Sequence, residues 1–432
     1  MPGVVVVGLQ WGDEGKGKVV DFYAQEADLV VRFNGGNNAG HTVIVKGEVH
    51  KLHLLPSGVI AGKESLIGAG LVVDPKVLLS EIEMLQSRGI TPKLSISKKA
   101  HIILPFHIFQ DGEQETFKGK YKAGTTKRGI GPCYSDKAAR FGIRIEDLMD
   151  PKVFREKFDF MCDLKTRVFR DVYGKEFDYS GIYEEYVGYG KRIKQYVQPV
   201  SRLVNTALDH NKKVLFEGAQ GTMLDLDHGY YPYGTSSNCI AGAACTGVGV
   251  GPTKISRVVG VLKAYTSRVG EGIFPTELTD ETCRKLQQLG GEVGTTTGRT
   301  RRVGWFDAVT AKYSCMVNSV TDLAITKIDI LGGFETVKMA TKYQLPSGEI
   351  ITHMDAPAEA LQSKPIYEEV DGWEHLAPEQ WREIALKGYK EIPANAQKYM
   401  EKISKLCHAP VTMVSVGPGR EDTIIRKNIW KD

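Results

Sequence analysis

No run in the 432-residue chain is apolar for long enough to cross a bilayer, so a membrane-spanning fold is not expected. Cysteine is sparse and unpatterned. Its seven copies, Cys133, Cys162, Cys239, Cys245, Cys283, Cys315 and Cys407, form no C-x-x-C pair, which argues against a disulfide framework and against a thiolate zinc site. An excess of one charge is missing too. Fifty-six Lys and Arg against 52 Asp and Glu leave +4, with no long basic run of the kind that grips nucleic acid or membranes nonspecifically. Neither an internal repeat nor a low-complexity linker interrupts the chain. It enters a strand-like run at once, without the basic, apolar and small-residue succession of a secretion signal, and a cytoplasmic location is expected. What remains is an ordinary globular composition, 42% hydrophobic and 25% charged, compatible with anionic small substrates.

The most informative stretch is GVVVVGLQWGDEGKGKV, residues 3 to 19. Val4 to Val7 read as a strand buried on both faces, because β-branched side chains suit the pleat and no polar alternation marks a wet face. A glycine-rich loop and a helical segment from Gly17 to Gln25 follow. The loop fits the phosphate-binding spacing G-x-x-x-x-G-K, in which glycines let backbone N–H groups converge on phosphate oxygens at a helix N-terminus. Val19 stands where that pattern has Ser or Thr, so the hydroxyl for a magnesium ion is missing and a carboxylate, Asp13, is offered instead. The alternative is a turn without function. Against it, Asp13 and Glu14 would repel phosphate unless a metal or a catalytic task required them.

Further strands are expected at Asp28 to Phe33, at TVIVKG, within SLIGAGLVVDP, at Val214 to Phe216, within KISRVVGVLKAYTSRVG and at DLAITKIDILGG, and VTMVSVGPGREDTII reads as a closing strand and a loop. Asp74 and Pro75 have the chemistry of a helix start, running to Arg88, and Asp307 is placed to cap a helix ending at Asn318. Residues 101 to 210 change texture to aromatic, charged, helical segments and read as an insertion. IYEEYVGYGKRIKQYVQPVSRLVNTAL within them reads as amphipathic helix. YQLPSGEI predicts a hairpin and 355 to 405 a helical segment. These alternations predict one α/β domain over residues 1 to 432: a mostly parallel central sheet with helices on both faces, phosphate-loop-like, with a helical insertion near 101 to 210 and an additional hairpin and helical segment near 346 to 405.

Several loops carry candidate chemistry. NGGNNAGHT (34 to 42) places His41 directly after glycines that permit close ligand approach. His50 and His53, three apart on a strand, point to opposite faces and read as structural. Residues 123 to 144, with Lys122, Lys127, Arg128, Lys137, Arg140 and Arg144 near Thr125 and Thr126, fit a solvated basic loop and an anion site equally. Gln220, Thr235, Ser236 and Asn238 follow a buried strand, where ligands sit in open α/β sheets. GTTTGRTRRVGWFD (294 to 307) joins threonines and arginines in one loop suited to carboxylate or phosphate, with Trp305 and Phe306 as anchors.

Taken in order, QWGDEGKGK, RFNGGNNAGHT, HLLPSG, GTTKRGIGP, FEGAQGTMLD, TGRTRR, TKID and SVGPGR closely resemble the blocks of the adenylosuccinate synthetase family, from about residue 3 to 430. The resemblance implies a GTP-dependent ligase that joins IMP and L-aspartate to give adenylosuccinate, GDP and phosphate through a 6-phosphoryl-IMP intermediate, the first committed step from IMP to AMP. It implies that Asp13 takes the N1 proton of IMP, that His41 acts as general acid towards GDP, and that Lys16, Lys18 and Gln220 assist. One Mg2+ per subunit would be held by Asp13, the Gly40 carbonyl and phosphate oxygens.

The GTP contacts so implied are Gly12, Asp13, Glu14, Gly15, Lys16, Gly17 and Lys18 in the first loop, Gly40, His41 and Thr42 in the second, and Arg301. Lys327, Ile328 and Asp329 would read the guanine, with Ser415, Val416 and Gly417 closing over it. Thr326 stands where GTPases of the N-K-x-D type have Asn. IMP would meet Asp13 to Lys16, Asn38, Ala39, Gly40, His41, Thr126, Gln220, Thr235 and Arg299, with Arg140 reaching the neighbouring subunit of a homodimer. L-aspartate would be bound by Thr295, Thr296, Thr297, Gly298, Arg299, Thr300 and Arg301. A GTP-binding switch is the rival reading, but it requires neither Asp13 in the loop nor the arginine and threonine loop. A dinucleotide oxidoreductase lacks its G-x-G-x-x-G after the first strand.

Overall fold

The computed structural model describes residues 3–45, 48–122, 124–293, 298–355, 360 and 362–431. The four-valine run forms the strand Gly3–Gly8, every residue of which is buried. Its alternating side chains serve two cores. Val5 and Val7 pack into a cluster with the helices Val200–Asp209, Ala308–Asn318 and Ala394–Cys407. Val4 and Val6 pack on the opposite face against Val19, Val20 and Tyr23 of the helix Lys16–Ala24. Burying each such side chain contributes roughly 1.5–3 kcal/mol, so this strand is held by both layers at once.

Around it lies a ten-stranded sheet. From one edge inward run Thr423–Ile425, Val411–Ser415, Asp322–Thr326 and Ile255–Lys263; Gly3–Gly8 follows, then Val214–Glu217, Leu29–Arg32, Glu64–Ile67, Leu94–Ser97 and Val197–Gln198. All neighbours are parallel except the antiparallel edge strand Thr423–Ile425. The mostly parallel α/β sheet read from the sequence is therefore present. Parallel pairing aligns the carboxyl ends, so Gly8, Arg32, Glu217, Lys263, Thr326 and Ser415 all open onto one rim.

Three element expectations are corrected. SLIGAGLVVDP is two strands, Glu64–Ile67 and Val72–Val73, because the chain turns between them at Gly70, where a Cβ would collide with the Phe33 carbonyl. The stretch from Ile182 to Asp209 is not one helix: Ile182–Ile193 ends, Val197–Gln198 joins the sheet edge, and Pro199, whose ring cannot continue a helix, precedes Val200–Asp209. In 355–405 the strand Lys364–Asp371 comes before the helices Pro378–Lys387 and Ala394–Cys407. Its side chains are only partly covered and show no two-residue alternation, and it pairs antiparallel with Thr336–Gln344. The helices Pro105–Phe117, Pro151–Val168 and Ile182–Ile193 build a separate apolar cluster around Phe106, Phe154, Phe158 and Tyr186.

Candidate active site

The loop after Gly8 is braced from beneath. Glu14 is fully buried, and its carboxylate accepts the backbone N–H groups of Gln10 (3.0 Å) and Gly12 (2.9 Å) while Lys16 Nζ sits 2.5 Å away. A Cβ on Gly8 or Gly221 would fall on this carboxylate, which is why both positions are glycine. Glu14 thus does not oppose a phosphate by charge; only its backbone can face one. Gly12, Asp13 and Gly15 have φ of 81°, 58° and 89°, left-handed values that fold the loop back over the helix Lys16–Ala24. That helix has no side-chain cap, leaving its first N–H groups for an anion.

Above the loop opens a cavity of about 650 Å³. Gly12, Asp13, Gly15, Lys16 and Gly17 form its floor; Asn38, Ala39, Gly40, His41 and Thr42 form one wall, and Thr126, Gln220, Thr235, Arg299, Arg301 and Lys327 complete it. Residues from six separated motifs therefore meet. Asn38 Nδ2 donates to Thr235 Oγ1 at 3.4 Å, and the buried Gln220 Oε1 has no protein partner. An unsatisfied buried acceptor on a residue that lines the cavity is what a ligand N–H would satisfy.

His41 opens the strand His41–Val45 and is nearly enclosed. Its Nδ1 is ion-paired with Glu217, at the end of Val214–Glu217, and Glu217 also accepts Ser57 N–H (2.8 Å) and Ser57 Oγ–H (2.9 Å). Burial would raise the Glu217 pKa, but the His41 and Arg32 charges outweigh it and hold the carboxyl below its ordinary value. Nδ1 is fixed by an anion, and Nε2 has no partner among the described residues.

A second end of the rim lies where the parallel strands Asp322–Thr326 and Val411–Ser415 finish. Thr326 Oγ1 donates to the Glu14 carbonyl at 2.7 Å, tying this end to the phosphate loop and giving Thr its use at this position. Lys327 is left-handed, φ 63°, and its Nζ donates to the Gly290 carbonyl. Asp329 Oδ1 is buried without a partner, and burial raises that carboxyl's pKa despite Lys327 and Lys18 nearby. Lys18 does not line the cavity. It donates to Ser415 Oγ (2.6 Å), Gly417 O (2.7 Å) and Asp422 O (2.9 Å), holding the terminal loop to the first helix, and burial lowers its pKa to about 8.

Arg301 bridges two carboxylates: Nε to Asp13 at 2.7 Å and Nη1 to Glu292 at 2.8 Å. Arg299 Nη2 donates to the Gly124 carbonyl at 2.8 Å, beside Thr125 and Thr126. Gly298 and Thr300 are exposed, whereas the expected contacts Thr295, Thr296 and Thr297 lie outside the described residues. Arg140 is exposed at the end of the helix Ile130–Ala139 and does not line the cavity. Among the described residues no group of three His, Cys, Asp or Glu is placed to hold a metal. One carboxylate, Asp13, with 30% of its side chain exposed, and the Gly40 backbone at the wall suit only a hard ion that takes its remaining oxygens from phosphates and water, as Mg2+ does.

Residues 5–424 match the family model for adenylosuccinate synthetase. The chain belongs to that family. Curated adenylosuccinate synthetases of Desulfitobacterium hafniense (strain DSM 10664 / DCB-2) and Bacillus cereus (strain ATCC 14579) are each 51% identical to it, over the full length of both chains. The solved structure of fully ligated adenylosuccinate synthetase from Plasmodium falciparum is 37% identical, covering 98% of this chain and 99% of that one, with a TM-score of 0.89. A cyanophage S-2L succinoaminodeoxyadenylate synthetase, 17% identical over 99% of this chain and 96% of its own, shares the fold with a TM-score of 0.63. As a member of this family the chain is a GTP-dependent ligase of AMP synthesis, joining IMP and L-aspartate to form adenylosuccinate.

Two buried carboxylates that touch cavity-lining residues escaped sequence reasoning, Glu217 on His41 and Glu292 on Arg301. Glu217 stands inside the FEGAQG block and Glu292 just ahead of the threonine loop, and neither spacing pairs it with the residue it touches. Their common signal is an acidic side chain at the edge of an apolar or glycine-rich segment, where burial demands a cation.

Proposed function

We propose that Asp13 is the base that starts the family's reaction in this cleft. The observation that carries the reading is a carboxylate in the middle of a phosphate loop, facing the cavity, on a backbone held left-handed. For nucleotide binding alone it would be a liability, since it repels phosphate. Taking the N1 proton of IMP makes O6 an oxyanion, which attacks the γ-phosphorus of GTP and releases GDP. His41, oriented by Glu217, donates through Nε2 to the departing β-phosphate oxygen. The amine of L-aspartate then attacks C6 and gives up a proton as the C6–O bond breaks, because inorganic phosphate leaves where an oxide would not.

Gln220, Asn38, Thr235 and Thr126 hold IMP, and Gln220 Oε1 finds a donor there. Asp329 accepts the N1–H and exocyclic amine of guanine through its carboxylate, whose Oδ1 is unpartnered, Lys327 lies against the base, and Ser415 to Gly417 cover it. Lys16 offsets phosphate charge at the helix start, while Lys18 acts by anchoring the cover loop. Thr295 to Arg301 take the aspartate. A Mg2+ held at Asp13 and the Gly40 carbonyl supplies charge neutralisation for the phosphate oxygens when bound. The active assembly is a cytoplasmic homodimer in which Arg140 reaches the IMP phosphate in the other subunit.

The test is Asp13→Asn. Titration calorimetry with a GTP analogue should show binding retained, while adenylosuccinate formation falls by about three orders of magnitude or more. An Asn variant that turns over within tenfold of the parent would refute Asp13 as the base.

A further inference from the structure

The Arg301 to Asp13 contact is one end of a chain of charges that runs into the protein. Lys263, at the end of the central strand Ile255–Lys263, is buried and donates to both oxygens of Glu292, at 2.8 and 2.9 Å. Glu292 is completely buried and also accepts the Tyr265 hydroxyl. Its second oxygen takes Arg301 Nη1 at 2.8 Å, and the Arg301 backbone N–H donates to the Glu292 carbonyl at the same distance. Val293 and Thr300 pair next to them, so Glu292 and Arg301 are held side by side. Burial alone would raise the Glu292 pKa, but Lys263 and Arg301 pull it down to about 2.

The two carboxylates on Arg301 are unequal. Glu292 is fully enclosed and fixed by Lys263 and Tyr265, whereas Asp13 retains 30% exposure and borders the cavity. A guanidinium has separate edges that bond independently. When one anion must be exchanged, the exposed partner leaves and the buried one stays. We propose that Glu292 is a positioning residue for the ligase reaction: it retains one edge of the Arg301 guanidinium while the other exchanges Asp13 for a substrate anion. Asp13 is thereby released to the purine without stranding the arginine. This rests on the reading of Arg301 as a substrate contact.

The experiment compares Glu292→Gln, Glu292→Asp and Arg301→Leu by kcat and by KM for GTP, IMP and L-aspartate, with circular-dichroism melts of each. Arg301→Leu identifies the substrate whose KM depends on the guanidinium. Glu292→Gln should raise that same KM by about 10- to 100-fold, the worth of one charge-assisted hydrogen bond, and leave the other two within about threefold. Glu292→Asp, which keeps the charge, should recover part of the loss. Because Gln leaves Lys263 without its anion, the double variant Lys263→Met/Glu292→Gln supplies a folded control and should keep the kinetic defect. A Glu292→Gln enzyme with all three KM values near the parent overturns the proposal alone, provided Arg301→Leu still raises one. Loss spread equally over the three substrates and cured in the double variant overturns it as a fold defect. No KM change in Arg301→Leu overturns both it and the reading beneath it.

Discussion

Asp13, Gln220 and Lys327 each adopt positive φ without being glycine, and each borders the cleft. Left-handed backbone at such residues costs on the order of 1–3 kcal/mol and persists where the surroundings enforce it. Here the enforcing contacts are the buried Glu14, the Thr326 hydroxyl on the Glu14 carbonyl and the strand ends beneath. The same logic of a buried anion fixing a cleft residue governs His41. In Glu217→Gln the side chain still reaches Ser57, but the negative charge facing His41 Nδ1 is gone. We expect kcat to fall about 10- to 100-fold with KM for GTP within about twofold; steady-state kinetics with GTP varied would check this, and an unchanged kcat would show that Nδ1 needs no anion. Asp13 and His41 were legible in the sequence because each sits at a fixed offset within a glycine-rich block. Glu217 was not, since its partner is 176 residues away by number and only the parallel pairing of Val214–Glu217 with Leu29–Arg32 brings the two blocks together.

Elements that draw their order from local chemistry were the readable ones. Val4 to Val7 had its strand in β-branching, and Asp74 and Asp307 had their helices in a side chain able to accept the first N–H groups, as both do. Lys364–Asp371 was missed because it is an edge strand with half-exposed side chains, and its order comes from Thr336–Gln344 rather than from itself. The Asp307 cap has a further property. Its Oδ1 accepts Val309 and Thr310 N–H, Oδ2 accepts the Tyr343 hydroxyl, and no cation is among the influences that oppose its burial, which lifts its pKa from 3.8 to about 6. A carboxyl whose folded pKa is raised stabilises the fold fully below the unfolded value, and that stability is lost as pH rises through about 6. Asp307→Asn keeps the capping oxygen and cannot ionise. In paired urea titrations from pH 4 to 7, the variant should therefore gain on the order of 2 kcal/mol relative to the parent as pH increases. A difference that stays flat across this range would mean that Asp307 ionises at its ordinary pKa in the fold.

At the scale of the whole molecule, Arg140 stands apart from the described residues that line the cleft. That residue ends the helix Ile130–Ala139 in left-handed conformation, φ 67°, with its side chain exposed and away from the cavity. A guanidinium set on a rigid helix end and pointing outward fits a contact made in trans, and the proposed homodimer gives it the phosphate of IMP in the neighbouring cleft. Sharing has a consequence that no single-chain site can imitate. Asp13→Asn removes the base from its own cleft, and Arg140→Leu removes the phosphate contact from the other. When the two inactive proteins are mixed one to one and allowed to exchange subunits, half the dimers are mixed. Each mixed dimer then has one cleft with both lesions and one with neither, so activity at low IMP should rise to about a quarter of the parent's. If Arg140 served its own cleft, every cleft in the mixture would carry one lesion, and mixing would restore nothing.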